Sequence, residues 1–224
     1  MTAAEPPAIT GLTPGLAPEF DRSALLVIDM QNDFAEGGST PVAGTRAVTP
    51  AVARLAAAYR QAARPVIHAV RLYDGGDVDR VRRQAIADGA RIVRPGTRGS
   101  QVIAGLLPAG APELDPKLLL AGDPQVIGAD ECVLWKPRWS AFYRTDLHAQ
   151  LITRKVTTLV VAGCNFPNCP RAALFDASER DYRVVMVTDA ISGVTDNHID
   201  ESRRLCVVPL TAAAVLAALA ALTR

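Results

Sequence analysis

Six short runs rich in apolar residues recur along the chain, with longer segments of helical periodicity between them. Apolar runs of four to eight residues predict strands that are buried on both faces, as in a parallel sheet. Strands that alternate with helices predict an α/β fold, here a doubly wound, Rossmann-like parallel sheet of about six strands with helices on both faces. The predicted strands are residues 24–28, 64–71, 131–135, 158–163, 183–188 and 205–208. The predicted helices are residues 49–63, 142–153, 170–181, 197–204 and 211–222.

Two segments fall outside this alternation. Residues 1–22 are rich in proline and lack periodicity, so we predict an extended N-terminal arm followed by one domain over residues 23–224. Residues 72–130 are rich in Gly, Pro, Asp and Arg, and contain at most a short helix near residues 100–107. Because long irregular loops are usually functional, we expect this excursion to form a mobile wall of a pocket, with Arg94 and Arg98 as candidates to meet a substrate.

Composition excludes several classes of protein. The net charge is +1 and there is no basic stripe, which argues against nucleic acid as a partner. Four cysteines are too few for a disulfide scaffold, and the three histidines are scattered, so we expect a reducing compartment and no metal site. The N-terminus does not resemble a signal peptide, and the apolar tail at residues 210–222 is too short to span a bilayer. We therefore expect a soluble cytoplasmic protein without a cofactor that acts on a small molecule.

Three polar residues follow the predicted strands, and they are of types that can cooperate in catalysis. Asp29 ends the first strand, Lys136 follows the third, and Cys169 follows the fourth at the predicted start of a helix, where Pro170 fits the first turn. The carboxyl ends of parallel strands lie along one edge of the sheet. A helix N-terminus and a nearby lysine favour thiolate over thiol, and a carboxylate can accept the proton. These residues predict a thiolate nucleophile that needs no histidine. Taken singly, each also has an ordinary structural interpretation: a buried core cysteine, a carboxylate capping a turn, or a solvated lysine.

Three segments together resemble a known family. Residues 26–34 (LVIDMQNDF), 136–147 (KPRWSAFYRTDL) and 163–169 (GCNFPNC) are similar, in the same order, to the three signatures of the isochorismatase-like cysteine hydrolase superfamily. The resemblance runs from about residue 24 to the C-terminus and is weakest over residues 72–130.

The resemblance implies a triad of Cys169, Asp29 and Lys136. Cys169 would attack a carbonyl carbon, Asp29 would carry the proton to the leaving amine, and Lys136 would stabilise the charged state, after which water would hydrolyse the thioester. It also implies a cis peptide bond at Cys164–Asn165, an oxyanion hole made by backbone N–H groups around Asn165 and Cys169, and a homodimer or homotetramer.

Departures from the family pattern narrow the function. The family's nicotinamidases bind a metal through histidines after the second strand, whereas residues 70–79 contain none, so we expect no metal. True isochorismatases lack the cysteine. The predicted function is therefore that of the amidohydrolase branch, which includes N-carbamoylsarcosine amidohydrolase: a metal-independent cysteine hydrolase that cleaves a C–N bond of a small amide, carbamoyl or lactam substrate. Two alternatives remain: a vinyl ether hydrolase of the isochorismatase type, and a catalytically silent Rossmann-like interaction module.

Five aromatic residues lie close to the predicted triad in sequence and are candidates to line the substrate pocket. Aromatic side chains at such positions also serve as packing anchors in a core, so both interpretations stay open. The candidates are Phe34, Trp139, Phe142, Tyr143 and Phe166.

Overall fold

The computed structural model describes residues 14–222, and within them the core element is a seven-stranded sheet. The strands are β1 Ser23–Ile28, β2 Val66–Val70, β3 Gln125–Gly128, β4 Glu131–Trp135, β5 Thr158–Gly163, β6 Arg183–Ile191 and β7 Val207–Leu210. Their order across the sheet is β3-β4-β2-β1-β5-β6-β7. All neighbouring pairs are parallel except β3 with β4, which is antiparallel.

Helices cover both faces of the sheet. They are α1 Thr45–Gln61, α2 Arg80–Ala87, α3 Pro116–Leu120, α4 Leu147–Thr153, α5 Cys169–Ser178, α6 Asp196–Arg204 and α7 Ala212–Leu222. Side chains of β1 alternate between two apolar clusters, because successive residues of a strand point to opposite faces. Leu25 and Val27 join the cluster that contains α1 and α7, whereas Leu26 and Ile28 join the cluster that contains α4 and α5. The predicted doubly wound α/β fold is confirmed.

The excursion between β2 and β4 differs from its prediction. It contains α2, α3 and β3, and the helix expected near residues 100–107 is only a single 3₁₀ turn at Arg98–Ser100. Helix α2 is only eight residues long, carries three arginines and has no fully buried side chain, so its short amphipathic pattern is easily taken for part of a loop. Strand β3 is a short edge strand whose Val126 is exposed, and it therefore does not form a continuous apolar run.

A buried polar network connects the excursion to the sheet. Glu131 accepts hydrogen bonds from Arg60 at 2.6 and 2.7 Å and lies 2.7 Å from His68 Nε2. Arg60 also donates to the carbonyl of Leu106 within the excursion. Burial lowers the pKa of His68, which favours the neutral imidazole. The network therefore serves to hold the excursion against the sheet. Leu106, Leu114 and Leu119 then pack in the same cluster as α1.

Part of the predicted N-terminal arm is attached to the domain. Residues 1–13 lie outside the described residues. Within 14–22, Phe20 is buried in the core cluster, and the Glu19 N–H donates to Thr158 Oγ1 at 2.8 Å. None of the helices within residues 14–222 combines the length and the apolar character needed to cross a membrane.

The order of the strands reverses at β1. The chain passes from β1 outward to β2 and β4 on one side, and then returns to β5 and the strands beyond it on the other. At such a reversal the connecting loops diverge and leave a crevice at the carboxyl ends of the strands. Gly163 ends β5 at this point with a φ of +124°, and its Cα lies against the backbone of Ile28.

Gly163→Ala should therefore destabilise the protein strongly. A Cβ at Gly163 would overlap the backbone oxygen and nitrogen of Ile28, so β1 and β5 would have to separate. We expect a loss of about 3 to 5 kcal/mol in the free energy of unfolding, measured by urea denaturation. The matched control is Gly193→Ala, where φ is +76° and no atom lies within 4 Å of the added Cβ; it should cost only about 1 to 2 kcal/mol. Equal losses in the two variants would contradict the steric argument.

Candidate active site

Four side chains of the candidate site come together at the carboxyl edge of the sheet. Asp29 directly follows β1, Arg71 follows β2 and Lys136 follows β4, while Cys169 begins α5 after the loop that leaves β5. Asp29 has a φ of 52°, in the left-handed region that Asp tolerates better than most residues. Three strand ends and the start of α5 thus each place one side chain at a common crevice.

Asp29 and Lys136 form a buried ion pair. Lys136 Nζ lies 2.9 Å from Asp29 Oδ2 and also donates to the carbonyl of Arg138 at 3.3 Å. Lys136 is fully buried and Asp29 is 4% exposed, so the interpretation of Lys136 as a solvated lysine is wrong. Asp29 Oδ1 is buried and has no hydrogen-bond partner among the described residues. One carboxylate oxygen is therefore held by the lysine, and the other is available to a proton donor.

Cys169 is the first residue of α5, at the helix start that the sequence predicts. Burial raises the pKa of its thiol, and the negative charge of Asp29 raises it further, while Lys136 and Arg71 act in the opposite direction. Burial and the nearby carboxylate therefore favour the protonated thiol. The thiolate nucleophile stays a prediction, and it would form when Asp29 accepts the thiol proton.

Arg71 belongs to this site although the sequence analysis did not select it. Its Nη2 lies 3.7 Å from Cys169 Sγ, and its Nη1 lies 2.9 Å from Asp79 Oδ2. Gln31 fixes the backbone of Arg71 from both sides, accepting from its N–H and donating to its carbonyl at 2.8 Å. Its position in the sequence could have identified it, because Arg71 directly follows β2 just as Asp29 directly follows β1. A cation at this position adds a positive field at the sulfur.

The loop from β5 to α5 presents two backbone donors. The Cys164–Asn165 and Phe166–Pro167 peptide bonds are both cis. The Cys164 N–H donates to Ile28 and the Phe166 N–H to Ser192, which anchors the loop at 2.9 and 2.8 Å. The N–H groups of Asn165 and Cys169 make no hydrogen bond within residues 14–222. Free N–H groups beside a nucleophile are what an oxyanion hole requires.

The second cysteine of this loop has a different character. Cys164 is buried and accepts a hydrogen bond from Thr45 Oγ1 at 3.3 Å. Burial raises the pKa of its thiol to about 12, so it stays protonated. Its position agrees with the expectation of a small buried core residue, although it also lines the cavity described next.

A cavity of about 470 Å³ opens above these groups. That volume is within the range of small-molecule sites. Two of the five candidate aromatic residues, Phe34 and Trp139, line it. The other lining residues are Asp29, Val42, Arg71, Tyr73, Asp79, Val81, Arg82, Cys164, Asn165, Asn168 and Cys169.

The remaining three aromatic candidates lie elsewhere. Phe142 packs in the core beside Tyr182, with ring centroids 6.1 Å apart. Phe166 is 1% exposed and stacks on His198 at 4.5 Å. Tyr143 is exposed in a shallow groove next to the cavity mouth, beside the Arg138 guanidinium. Phe142 and Phe166 are therefore packing anchors, because both side chains point into the hydrophobic core below the site.

The excursion contributes to the cavity through residues other than the expected arginines. Arg94 lines a separate depression with Arg91, and Arg98 lines another with Arg46. Helix α2 lies at the cavity instead and supplies Arg82. The expectation that Arg94 and Arg98 face the cavity is wrong. It depended on composition, which does not reveal the position of α2 or which residues of the excursion it brings to the cavity.

Each histidine is engaged away from the cavity. His68 bonds to Glu131, the Nδ1 of His148 lies 2.9 Å from Tyr182 Oη, and His198 caps α6 through Thr195. Within residues 14–222, no three metal-ligating side chains come together.

Comparison with known proteins relates the chain to one family. A family model described as the Isochorismatase domain matches residues 23–214. A probable inactive nicotinamidase of Arabidopsis thaliana is 37% identical over 185 residues, covering 80% of this chain and 85% of that protein. The ureidoacrylate amidohydrolase RutB of Methylorubrum extorquens is 32% identical over 185 residues, covering 78% of this chain and 71% of that enzyme. The crystal structure of an isochorismatase family protein from Desulfovibrio vulgaris has a TM-score of 0.75 at 34% identity, covering 89% of this chain and 98% of that one.

The charges around Cys169 should set the pH at which it reacts. Asp29→Asn removes a negative charge beside the thiol and should lower its pKa, moving the midpoint of alkylation to lower pH by about one unit or more. Lys136→Met removes a positive charge and should move the midpoint to higher pH. The rate of iodoacetamide labelling of Cys169 is measured against pH by peptide mass spectrometry, in a Cys206→Ser background because Cys206 is exposed.

The control for this titration is Asp200→Asn, which removes a carboxylate whose ion pair with Arg203 is exposed on α6. Its midpoint should equal that of the wild type. A shift of the Asp29→Asn midpoint to higher pH would show that Asp29 does not act on the thiol through its charge.

Proposed function

This chain belongs to the isochorismatase family, and we propose that within it the protein is a metal-independent cysteine hydrolase. The proposed reaction is cleavage of a C–N bond in a small amide, carbamoyl or lactam substrate through a thioester. One observation carries the proposal: Cys169 and Asp29 line one cavity, and the buried Lys136 is paired with Asp29.

Attack on the carbonyl requires a base, because burial and the Asp29 charge raise the pKa of the Cys169 thiol. Asp29 Oδ1 has no hydrogen-bond partner among the described residues and is the proposed acceptor. As the sulfur bonds to the carbonyl carbon, the thiol proton passes to Asp29, and Lys136 remains hydrogen-bonded to Oδ2. Charge then develops on the carbonyl oxygen, where the N–H groups of Asn165 and Cys169 can stabilise it. The Arg71 guanidinium stabilises the negative charge that builds on the sulfur as its proton leaves.

Collapse of the tetrahedral intermediate breaks the C–N bond. Asp29 returns its proton to the leaving nitrogen, so ammonia or an amine departs and the acyl group stays on Cys169. Water then attacks the thioester while Asp29 accepts a proton from it. The second collapse releases the acid and restores the thiol. The cycle needs one base that alternates between its two protonation states, and the ion pair with Lys136 keeps that base in place.

The site and the relatives favour amide hydrolysis over the alternatives. True isochorismatases, which hydrolyse a vinyl ether, lack the cysteine. A buried cysteine beside a proton acceptor therefore favours amide hydrolysis. The similarity to an enzyme named ureidoacrylate amidohydrolase supports C–N cleavage. The Arabidopsis relative is named as probably inactive, so the silent-module alternative must be decided by turnover.

We further propose that the protein is a cytoplasmic homodimer or homotetramer. Val81, Trp139 and Tyr143 are 65, 41 and 47% exposed and line one shallow groove beside the cavity mouth. An exposed apolar group of this kind is typical of a surface that another subunit covers. All four cysteines are free, which suits a reducing compartment.

Light scattering at micromolar concentration should show more than one chain per particle, and a monomer would contradict this assembly.

Replacement of Cys169 should abolish turnover and leave the fold intact. A panel of primary amides, N-carbamoyl amino acids and lactams is screened for ammonia or amine release. With any compound that the wild type cleaves, Cys169→Ala should be slower by at least about a thousandfold, because the nucleophile is lost. The control is Cys132→Ala, which removes a buried thiol of the core cluster away from the cavity and should keep its kcat. Retention of more than a few per cent of activity by Cys169→Ala would remove Cys169 from the role of nucleophile.

Chelators should not affect the reaction. Residues 70–79, where the family's nicotinamidases have metal-binding histidines, contain no histidine, and the three histidines of the chain are engaged elsewhere. Dialysis against EDTA should leave kcat unchanged, and added zinc or iron should not raise it. A loss of activity that is restored by stoichiometric metal would contradict the metal-independent mechanism.

A further inference from the structure

The charged groups around the cavity are paired with one exception. Asp29 is paired with Lys136 and Arg71 with Asp79, in each case at 2.9 Å. Tyr73 donates to Asp79 Oδ2 at 2.6 Å and is neutral, because burial raises its pKa. The thiols of Cys164 and Cys169 are neutral as well. The opposite charges within each pair cancel. The net charge at the cavity is therefore that of the one remaining charged group among the described residues.

The remaining group is Arg82. It lies on α2, is half-buried, and lines the cavity together with its neighbour Val81. Its side chain makes no ion pair or hydrogen bond among the described residues. By contrast, the guanidinium of Arg138 near the mouth is bonded to Asp77 at 2.8 Å. A guanidinium at a cavity wall without a protein partner has all of its donors available to a ligand.

We propose that the substrate carries a carboxylate that binds Arg82 while its amide carbonyl reaches Cys169. A guanidinium binds a carboxylate with two parallel hydrogen bonds, which fixes orientation as well as charge. Phe34, Val42 and Trp139 line the same cavity and provide apolar surface for the part of the molecule between the two ends. The substrate class is thus a small amide or carbamoyl compound with a free acid group. This inference rests on the proposed function for the amide end, whereas the anion site depends only on Arg82.

Alkylation of Cys169 tests the anion site without a known substrate. Iodoacetate and iodoacetamide attack a thiol through the same carbon, but only iodoacetate carries a carboxylate. The ratio of their second-order rates at Cys169, read by peptide mass spectrometry in the Cys206→Ser background, reports the local preference for an anion. We expect Arg82→Gln to lower this ratio roughly threefold to tenfold and to leave the iodoacetamide rate unchanged. Raising the salt concentration should reduce the difference, since the charge is partly exposed.

Two further variants separate a specific site from general charge. Arg83→Gln removes the same charge from the adjacent position, where the side chain is exposed and bonds to the Val78 carbonyl at 3.3 Å; its ratio should equal that of the wild type. Arg82→Lys keeps the charge and should retain most of the ratio. An unchanged ratio in Arg82→Gln, or an equal fall in Arg83→Gln, would overturn the proposal.

The outcome is distinguishable from failure of the proposed function. If amides are cleaved but the ratio does not depend on Arg82, the proposed hydrolase function is retained and the carboxylate site at Arg82 is rejected. If the ratio depends on Arg82 and no amide is cleaved, the carboxylate site is retained and the proposed reaction is rejected. Once a substrate is found, Arg82→Gln should raise KM for the acid more than for its methyl ester, with kcat nearly unchanged, whereas equal KM values for the two compounds would also overturn the proposal.

Discussion

The buried ion pair of Asp29 and Lys136 is the interaction on which the site depends. Burying two charges costs free energy that their attraction only partly returns, and removal of one partner from such a pair typically costs about 3 to 5 kcal/mol. The pair is therefore a poor way to gain stability. It orients one carboxylate so that a single oxygen remains for proton transfer, and it requires that β1 and β4 end at the same level. The parallel sheet supplies that alignment, because the strand ends share one edge.

The same burial determines the kind of chemistry available to the sulfur. A helix N-terminus and two nearby cations favour a thiolate, but the loss of water and the Asp29 charge outweigh them and raise the pKa of Cys169. A protonated thiol is useless as a nucleophile unless a base removes its proton during attack. The carboxylate that raises the thiol pKa is also the group placed to accept that proton. In the proposed mechanism, Asp29 couples proton transfer to bond formation without a histidine.

The parts of the molecule that the sequence predicts are those with a repeated physical signal. Apolar runs identified six of the seven strands, and the rule that strand ends converge brought Asp29, Lys136 and Cys169 together. The rule was not applied to Arg71, although it follows β2 in the same way. Phe142 and Phe166 have the same residue type as Phe34, and only tertiary packing decides which of them faces a cavity. Helix α2 and β3 are short and only partly buried, so their local sequence marks them weakly and does not reveal that Arg82 lines the site.

The cavity is formed by two parts of the chain that differ in how tightly they are packed. The groups proposed for bond cleavage follow strands of the sheet or begin α5, where a shift would disturb the core. The groups that face the other side of the cavity, including Val81 and Arg82, come from α2, which has no buried side chain. The link between the two sides is Asp79, which precedes α2 and binds both Arg71 and Tyr73. Substitutions on α2 can therefore alter the charge and shape offered to a substrate at little cost in stability, provided that the contacts of Asp79 are kept. On the proposed function, substrate choice is thus assigned to a helix that has no fully buried side chain.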